Sequence, residues 1–246
     1  MRKVISILSV PVDVVTMEEA ADRVVKMYGE PGLHIVATVN AEMVMHAKGD
    51  AELFGILKSA DLVIPDGAGV LWAAEQQGQR FPERVTGIDL VTELLRRASR
   101  DRTPVYALGA APGVAAKALA NASDAFESGL VVAGVHSGFF DEEEEARIVA
   151  DMEESGAKLV LVAMGVPKQE KWIASRLSTL NGAVAIGIGG CLDVMAGHVP
   201  RAPKWMQDNR LEWLYRLYKE PSRIGRMAAL PRFVAAVKRA KHERID

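Results

Sequence analysis

The sequence predicts an α/β protein, a Rossmann-like parallel sheet with helices on both faces, followed by a helical carboxy-terminal appendage. Three observations predict it. Short apolar runs such as Leu62-Val-Ile64, Lys158–Met164 and Ala183–Ile188 have the length and continuity of strands buried on both faces. They alternate with capped helical segments through about residue 196, the pattern of a parallel sheet. From His198 the alternation stops and a helical, basic, aromatic-rich segment takes over. The expected division is a core over 1–198 and an appendage over 199–246.

Composition bounds the class. Of 246 residues, 49% are hydrophobic, enough for a substantial core. The single cysteine, Cys191, rules out a disulfide framework and suits a reducing cytoplasm; it is expected to pack as a small hydrophobe. No signal-peptide pattern opens the chain, and no apolar run approaches the roughly 20 residues of a spanning helix. A soluble or peripheral protein is expected. The net charge of −2 conceals an asymmetry: 12 Lys+Arg against 5 Asp+Glu from Arg201 onward give +7, leaving −9 before it. A basic tail on an acidic body suggests that the tail meets something anionic, whether phospholipid, phosphate-bearing ligand or nucleic acid.

Taken in order, Val4–Val10 reads as a first strand, and Thr16-Met-Glu-Glu has capping-box spacing for a helix through Met27. His34–Val39 is the next strand, followed by helical stretches at Ala41–Lys48 and Ala51–Lys58. Thr38 and Asn40, two positions apart, point to one side of an extended chain; Asn40 by itself is best read as the cap of the following helix. After the strand at Leu62–Ile64, Pro65 ends the ladder, Asp66 falls on a turn, and Gly67 and Gly69 permit close approach of a ligand. Asp66 is either a ligand-facing carboxylate at the carboxyl end of a strand, where open α/β sheets bind ligands, or the cap of the helix Val70–Gln77.

Thr86 is the expected N-cap of the helix Ile88–Ser99, with Asp89 at the capping-box position. Pro104–Leu108 is a strand, and Gly109-Ala-Ala-Pro-Gly113 leads into the helix Val114–Ala122, a geometry suited to an anion. Neither the full dinucleotide fingerprint nor a Walker lysine is present. Leu130–Val135 is another strand, and Asp141–Glu145 opens a helix to Glu154 as a solvated acidic turn. Pro167 suits a helix start after the strand Lys158–Met164, and Lys168 and Gln169 share that first turn. The pair either holds a diphosphate or is an ordinary exposed turn. Ala183–Ile188 closes in Gly189-Gly190 before a short helix at Cys191–Ala196. Beyond the turn Val199-Pro-Arg-Ala-Pro203, helices are expected at Lys204–Lys219, Ser222–Ala229 and Phe233–His242, with Pro221 and Pro231 as breaks. Trp205, Trp213, Tyr215 and Tyr218 beside Arg210, Arg216 and Lys219 suit either a membrane-surface helix or a docking helix.

Six motifs in sequence then carry a resemblance. Thr38-Val-Asn40-Ala-Glu, Pro65-Asp66-Gly67, Arg84-Val-Thr-Gly87, Gly109-Ala-Ala-Pro-Gly113, Gly165-Val-Pro-Lys-Gln169-Glu-Lys-Trp172 and Gly187-Ile-Gly-Gly-Cys-Leu-Asp193 resemble the WecG/TagA/CpsF glycosyltransferases, glycosyltransferase family 26. The resemblance spans about residues 4 to 230. It implies a GT-E type fold and an inverting, metal-independent transfer from a UDP-sugar to a polyprenyl-diphosphate-linked sugar. In the branch it resembles most, UDP-N-acetylmannosamine donates to undecaprenyl-diphosphate N-acetylglucosamine for wall teichoic acid. By motif position, Asp66 would be the general base, with Thr38, Asn40, Arg84 and Gln169 lining the active site. Gly109, Gly113, Gly165, Lys168, Gln169 and Gly189 would contact the nucleotide-sugar, and Asp193 the uracil. Arg216, Arg223 and Arg226 would reach the acceptor diphosphate. No cofactor and no metal are implied. The implied partners are the two substrates and an anionic membrane, so the chain is expected in the cytoplasm, peripheral on the inner face of the cell membrane. Off the membrane, the appendage's apolar residues could pair copies in a homo-oligomer.

Other function classes fit less well. A dinucleotide-dependent oxidoreductase expects a glycine fingerprint after the first strand, where Pro11-Val-Asp-Val stands. A nucleic-acid-binding module would be basic overall, and this body is acidic. Within the family, N-acetylmannosaminuronic acid and glucose are the alternative donor sugars.

Overall fold

The computed structural model describes residues 2–209, 211–219, 221, 225 and 228–242. Its centre is a six-stranded, wholly parallel sheet in the order β4-β3-β8-β7-β5-β6. The strands are β3 (Leu33–Val39), β4 (Leu62–Pro65), β5 (Pro104–Gly109), β6 (Val131–His136), β7 (Leu159–Ala163) and β8 (Ala183–Gly187). Alternate side chains feed two faces. Val36, Ile64, Ala107, Leu161 and Ile186 pack with α1 (Met17–Met27), α5 (Gly87–Asp101), α6 (Val114–Asp124) and α9 (Cys191–Met195). The other face carries α2 (Ala41–Gly49), α3 (Ala51–Ser59), α4 (Ala68–Gln76), α7 (Glu142–Glu154) and α8 (Lys168–Arg176).

Local chemistry sets the helix starts. Thr16 and Glu19 form the reciprocal capping box of α1, and Thr86 accepts from the Asp89 N–H at the start of α5. Asn40 caps α2 through the Met43 N–H. The expected parallel α/β core with helices on both faces is what the chain adopts.

Three expectations are corrected. The first strand is a separate antiparallel hairpin, β1 (Val4–Ile7) and β2 (Val10–Asp13), outside the main sheet. Leu8 and Ser9 turn it at positive φ. Fully buried Asp13 fixes it, accepting from the Val63 N–H of edge strand β4 while pairing with Arg2 and Arg23. The helix expected at Lys204–Lys219 is two, α10 (Lys204–Asp208) and α11 (Glu212–Lys219), with Asn209 ending the first. The last helix, α12 (Ala229–His242), starts before Pro231, which sits in the first turn, where a missing N–H leaves no bond unmade. The helix expected at Ser222–Ala229 lies largely outside the described residues.

α12 belongs to the second face. Phe233 and Val237 are buried among residues of α2 and α4. By contrast, α10 and α11 expose Trp205, Trp213, Leu214 and Tyr218. No helix among the described residues is long and apolar enough to cross a membrane.

Candidate active site

A cavity of about 970 Å³ opens at the carboxyl ends of β3, β4 and β8, bordered by the turn after β7. The starts of α2, α4 and α5 form its floor, and α11 and α12 close it from above. Thr38, Asn40, Asp66, Arg84, Gly165, Gln169, Gly189 and Arg216, all singled out from sequence, line it together.

Asp66 lies at the end of β4. It does not cap α4, whose N-cap is Gly67 with no side-chain bond. Its Oδ1 accepts instead from the Gly87 N–H at 2.7 Å, at the positive end of α5. Burial pushes the carboxyl above its usual range and Glu212 adds to this, while the Gly87 N–H, Arg216 and Arg84 oppose it. An ionised Asp66 is therefore a stronger base than a solvated one.

Arg84 spans the cavity wall. Its Nη2 meets Glu212 of α11, Nη1 donates to the Gln207 carbonyl at 3.2 Å, and Nε reaches the Asp66 carbonyl at 3.5 Å. Glu212 also faces Arg201, which pairs with Asp89 at the start of α5. Core and appendage are thus joined through charged groups beside Asp66.

Thr38 donates from Oγ1 to the Gly187 carbonyl at 2.9 Å, tying β3 to β8. Gln169 is 1% exposed, so the reading of its turn as exposed fails at that residue. Its Oε1 accepts from the Gly165 and Gly189 N–H groups at 3.1 and 3.0 Å. Cys191 is buried at the cavity's edge, its thiol pushed up to about 12 by burial, which fits packing rather than reactivity.

Four expected residues lie outside the lining. Gly109 adopts φ +136° where β5 meets β7, and a Cβ there would stand 2.3 Å from the Ala163 carbonyl oxygen. That close approach accounts for this glycine without a ligand. Gly113 is the N-cap of α6. Lys168 is exposed, its Nζ 5.7 Å from the Phe140 ring centroid. Asp193 lies on α9, its carbonyl accepting from His198 and Val199. Arg223 and Arg226 lie outside the described residues. Among the described residues, no three His, Cys, Asp or Glu side chains gather as a metal-binding group.

Sequence reasoning missed Glu212 and Lys238, both on the cavity wall, and Glu170 beneath it. Glu212 has no local signal, since its partner Arg84 is 128 residues away.

The chain matches the family model described as "Glycosyl transferase WecG/TagA/CpsF family" over residues 5–245, a span that includes every residue of this cavity. It is 37% identical over 210 residues to the N-acetylglucosaminyldiphosphoundecaprenol N-acetyl-beta-D-mannosaminyltransferase of Bacillus spizizenii (strain ATCC 23059 / NRRL B-14472 / W23). That alignment covers 85% of this chain and 79% of the relative. With five of its six motifs contributing to one cavity and a match along nearly its full length, the chain belongs to the WecG/TagA/CpsF family of glycosyltransferases.

Proposed function

We propose that the chain transfers N-acetylmannosamine from UDP-N-acetylmannosamine to undecaprenyl-diphosphate-linked N-acetylglucosamine, with inversion and without a resident metal. The product would be the β-1,4-linked disaccharide-lipid of the wall teichoic acid linkage unit. The observation that carries this reading is the identity to the Bacillus spizizenii enzyme, whose name gives that acceptor and that sugar. The cavity's chemistry supports it.

Asp66 acts as general base. Its Oδ1 is held by Gly87, and Oδ2 has no hydrogen bond among the described residues. That oxygen takes the proton of the acceptor hydroxyl while the hydroxyl oxygen attacks the anomeric carbon. The bond from that carbon to the β-phosphate oxygen breaks on the opposite face, and its electron pair leaves with UDP. Arg84, on the cavity wall, offsets the charge that develops on the leaving diphosphate, and Arg216, also on the wall, holds the acceptor diphosphate. Gly165, Gln169 and Gly189 bound the donor side of the cavity, and Lys168, Gly113 and Asp193 lie beyond its lining, Asp193 being the expected uracil contact. α10 and α11 rest on an anionic membrane through Trp205, Trp213 and Tyr218, with Lys204 and Lys219 beside them.

The test is transfer by purified protein to a lipid-diphosphate N-acetylglucosamine acceptor, with a panel of UDP-sugars in EDTA. Product should form with UDP-N-acetylmannosamine, and Asp66→Asn should lose roughly 10²- to 10⁴-fold in rate while remaining folded. Product from a different UDP-sugar alone would overturn the donor. No product, or an Asp66→Asn variant as fast as wild type, would overturn the reaction or the base.

A further inference from the structure

Beneath the cavity floor lies a carboxyl for which the transfer above has no use. Glu170, the third residue of the turn that opens α8 at Pro167, is 2% exposed. Its Oε1 accepts from Gln169 Nε2 at 2.7 Å, and its Oε2 is buried without a partner. Among the described residues no cation offsets it, and the charged group that bears on it is another carboxylate, Glu42 of α2. Burying such a group is costly when it is only half hydrogen-bonded, so its retention here calls for a role.

What it sets is the direction of the Gln169 carboxamide. The two ends of an amide are nearly the same shape, so only the hydrogen-bond network decides which faces where. The Gly165 and Gly189 N–H groups can only donate, and both point at Gln169 Oε1. A reversed amide would turn its own N–H groups against both. Glu170, which accepts at the other end, makes the reversed amide unfavourable on that side too. Gly187 leaves the necessary room: a Cβ there would stand 2.7 Å from both Gln169 Nε2 and Glu170 Oε1. The carboxamide thereby clips the turn after β7 to the turn after β8, and both turns line the cavity.

We infer that Glu170 is a positioning residue of the transfer reaction, locking Gln169 so that its oxygen clamps the Gly165 and Gly189 turns into the shape that receives the nucleotide-sugar. This rests on the glycosyl-transfer reading, so the test includes a measurement independent of activity. Glu170→Gln keeps an acceptor oxygen of the same size; Glu170→Met keeps the volume and removes the acceptor. Hydrogen exchange should show Glu170→Met losing protection at both the Gly165 and Gly189 amides while the rest of α8 stays protected, and Glu170→Gln restoring it. In transfer assays Glu170→Met should raise the donor KM roughly tenfold, the scale of one unsatisfied buried group, with a smaller effect on kcat. Glu170→Gln should recover most of that loss.

Unchanged protection at either turn in Glu170→Met overturns the clip. Lost protection at both turns with an unchanged donor KM overturns the role in transfer. A wild-type protein inert toward every UDP-sugar also overturns that role, and the exchange pattern then shows whether the reaction reading or the clip has failed.

Discussion

Glu170→Gln should also change how stability depends on pH. Burial raises the Glu170 carboxyl from 4.5 to about 7, and Glu42 adds to this, while the Gln169 amide and the residue's own backbone N–H oppose it. An acid raised in the folded state holds its proton more tightly there, so between the two values the unfolded chain binds fewer protons. The stability it contributes is therefore complete below about pH 4.5 and is lost as pH rises through about 7. At 1.36 kcal/mol per pK unit, the full displacement is worth about 3 kcal/mol by pH 8. Glutamine does not ionise and escapes that loss. Near pH 5 the two proteins should be similar, because protonated glutamic acid and glutamine both present a donor at the unpartnered position. The advantage of Glu170→Gln should then grow by about 2–3 kcal/mol between pH 5 and pH 8. With a urea m-value of about 2.5 kcal/mol/M, the separation of the unfolding midpoints should change by roughly 1 M. Tryptophan fluorescence in urea at pH 5, 6.5 and 8 measures this directly. Because the comparison is between two proteins differing at one site, other titrating groups such as Asp66 cancel. A separation that stays constant across the three pH values would refute the reasoning.

Other consequences follow from the same geometry. Phe233→Ala should destabilise the chain by about 3–5 kcal/mol, since the ring is fully buried against α2 and α4; a thermal melt within a degree of wild type would contradict that packing. Arg84→Lys should fold normally yet lose at least about tenfold in kcat/KM, because an ammonium cannot reach Glu212, the Gln207 carbonyl and the Asp66 carbonyl at once. Wild-type kinetics in that variant would remove Arg84 from the machinery. Transfer should fall as pH drops through the raised range of Asp66, and a flat acid limb would argue against it as base. Replacing Trp213 and Tyr218 with serine should reduce co-sedimentation with anionic vesicles while leaving the melting temperature unchanged; undiminished sedimentation would place the membrane contact elsewhere.

What was legible in the sequence is what the chain determines over a few residues. The caps at Thr16, Asn40 and Thr86 and the buried runs of β7 and β8 follow from local spacing. The two-residue period placed Thr38 and Asn40 on one side, and both line the cavity. Asp66 was legible as a carboxylate on a glycine-flanked turn, but not as the acceptor of an N–H from Gly87, 21 residues on. The β1–β2 hairpin was hidden because its turn, Leu8-Ser9, takes positive φ with neither glycine nor asparagine. Docking of Asp13 onto β4 holds it, and that contact has no local signature.

Gln169 and Glu170 are the instructive case, because the sequence did carry a signal. Trp172, Ile173 and Leu177 are apolar at helical spacing and all are buried. Gln169 stands three and four residues before Trp172 and Ile173, and Glu170 three and seven before Ile173 and Leu177. The same period that marks those three as inward marks Gln169 and Glu170 as inward too. Polar residues in the apolar phase of a helix are the informative exception to the burial rule. Reading Lys168 and Gln169 as one exposed first turn averaged over residues that face opposite ways: Lys168 out to solvent, Gln169 into the sheet. A glutamine beside a glutamate on a buried stripe has to be answered by partners, and with two backbone N–H groups donating at one end and a carboxylate accepting at the other, the amide's direction follows. Phase, rather than residue type alone, therefore separates the part of the motif that faces solvent from the part that shapes the cavity.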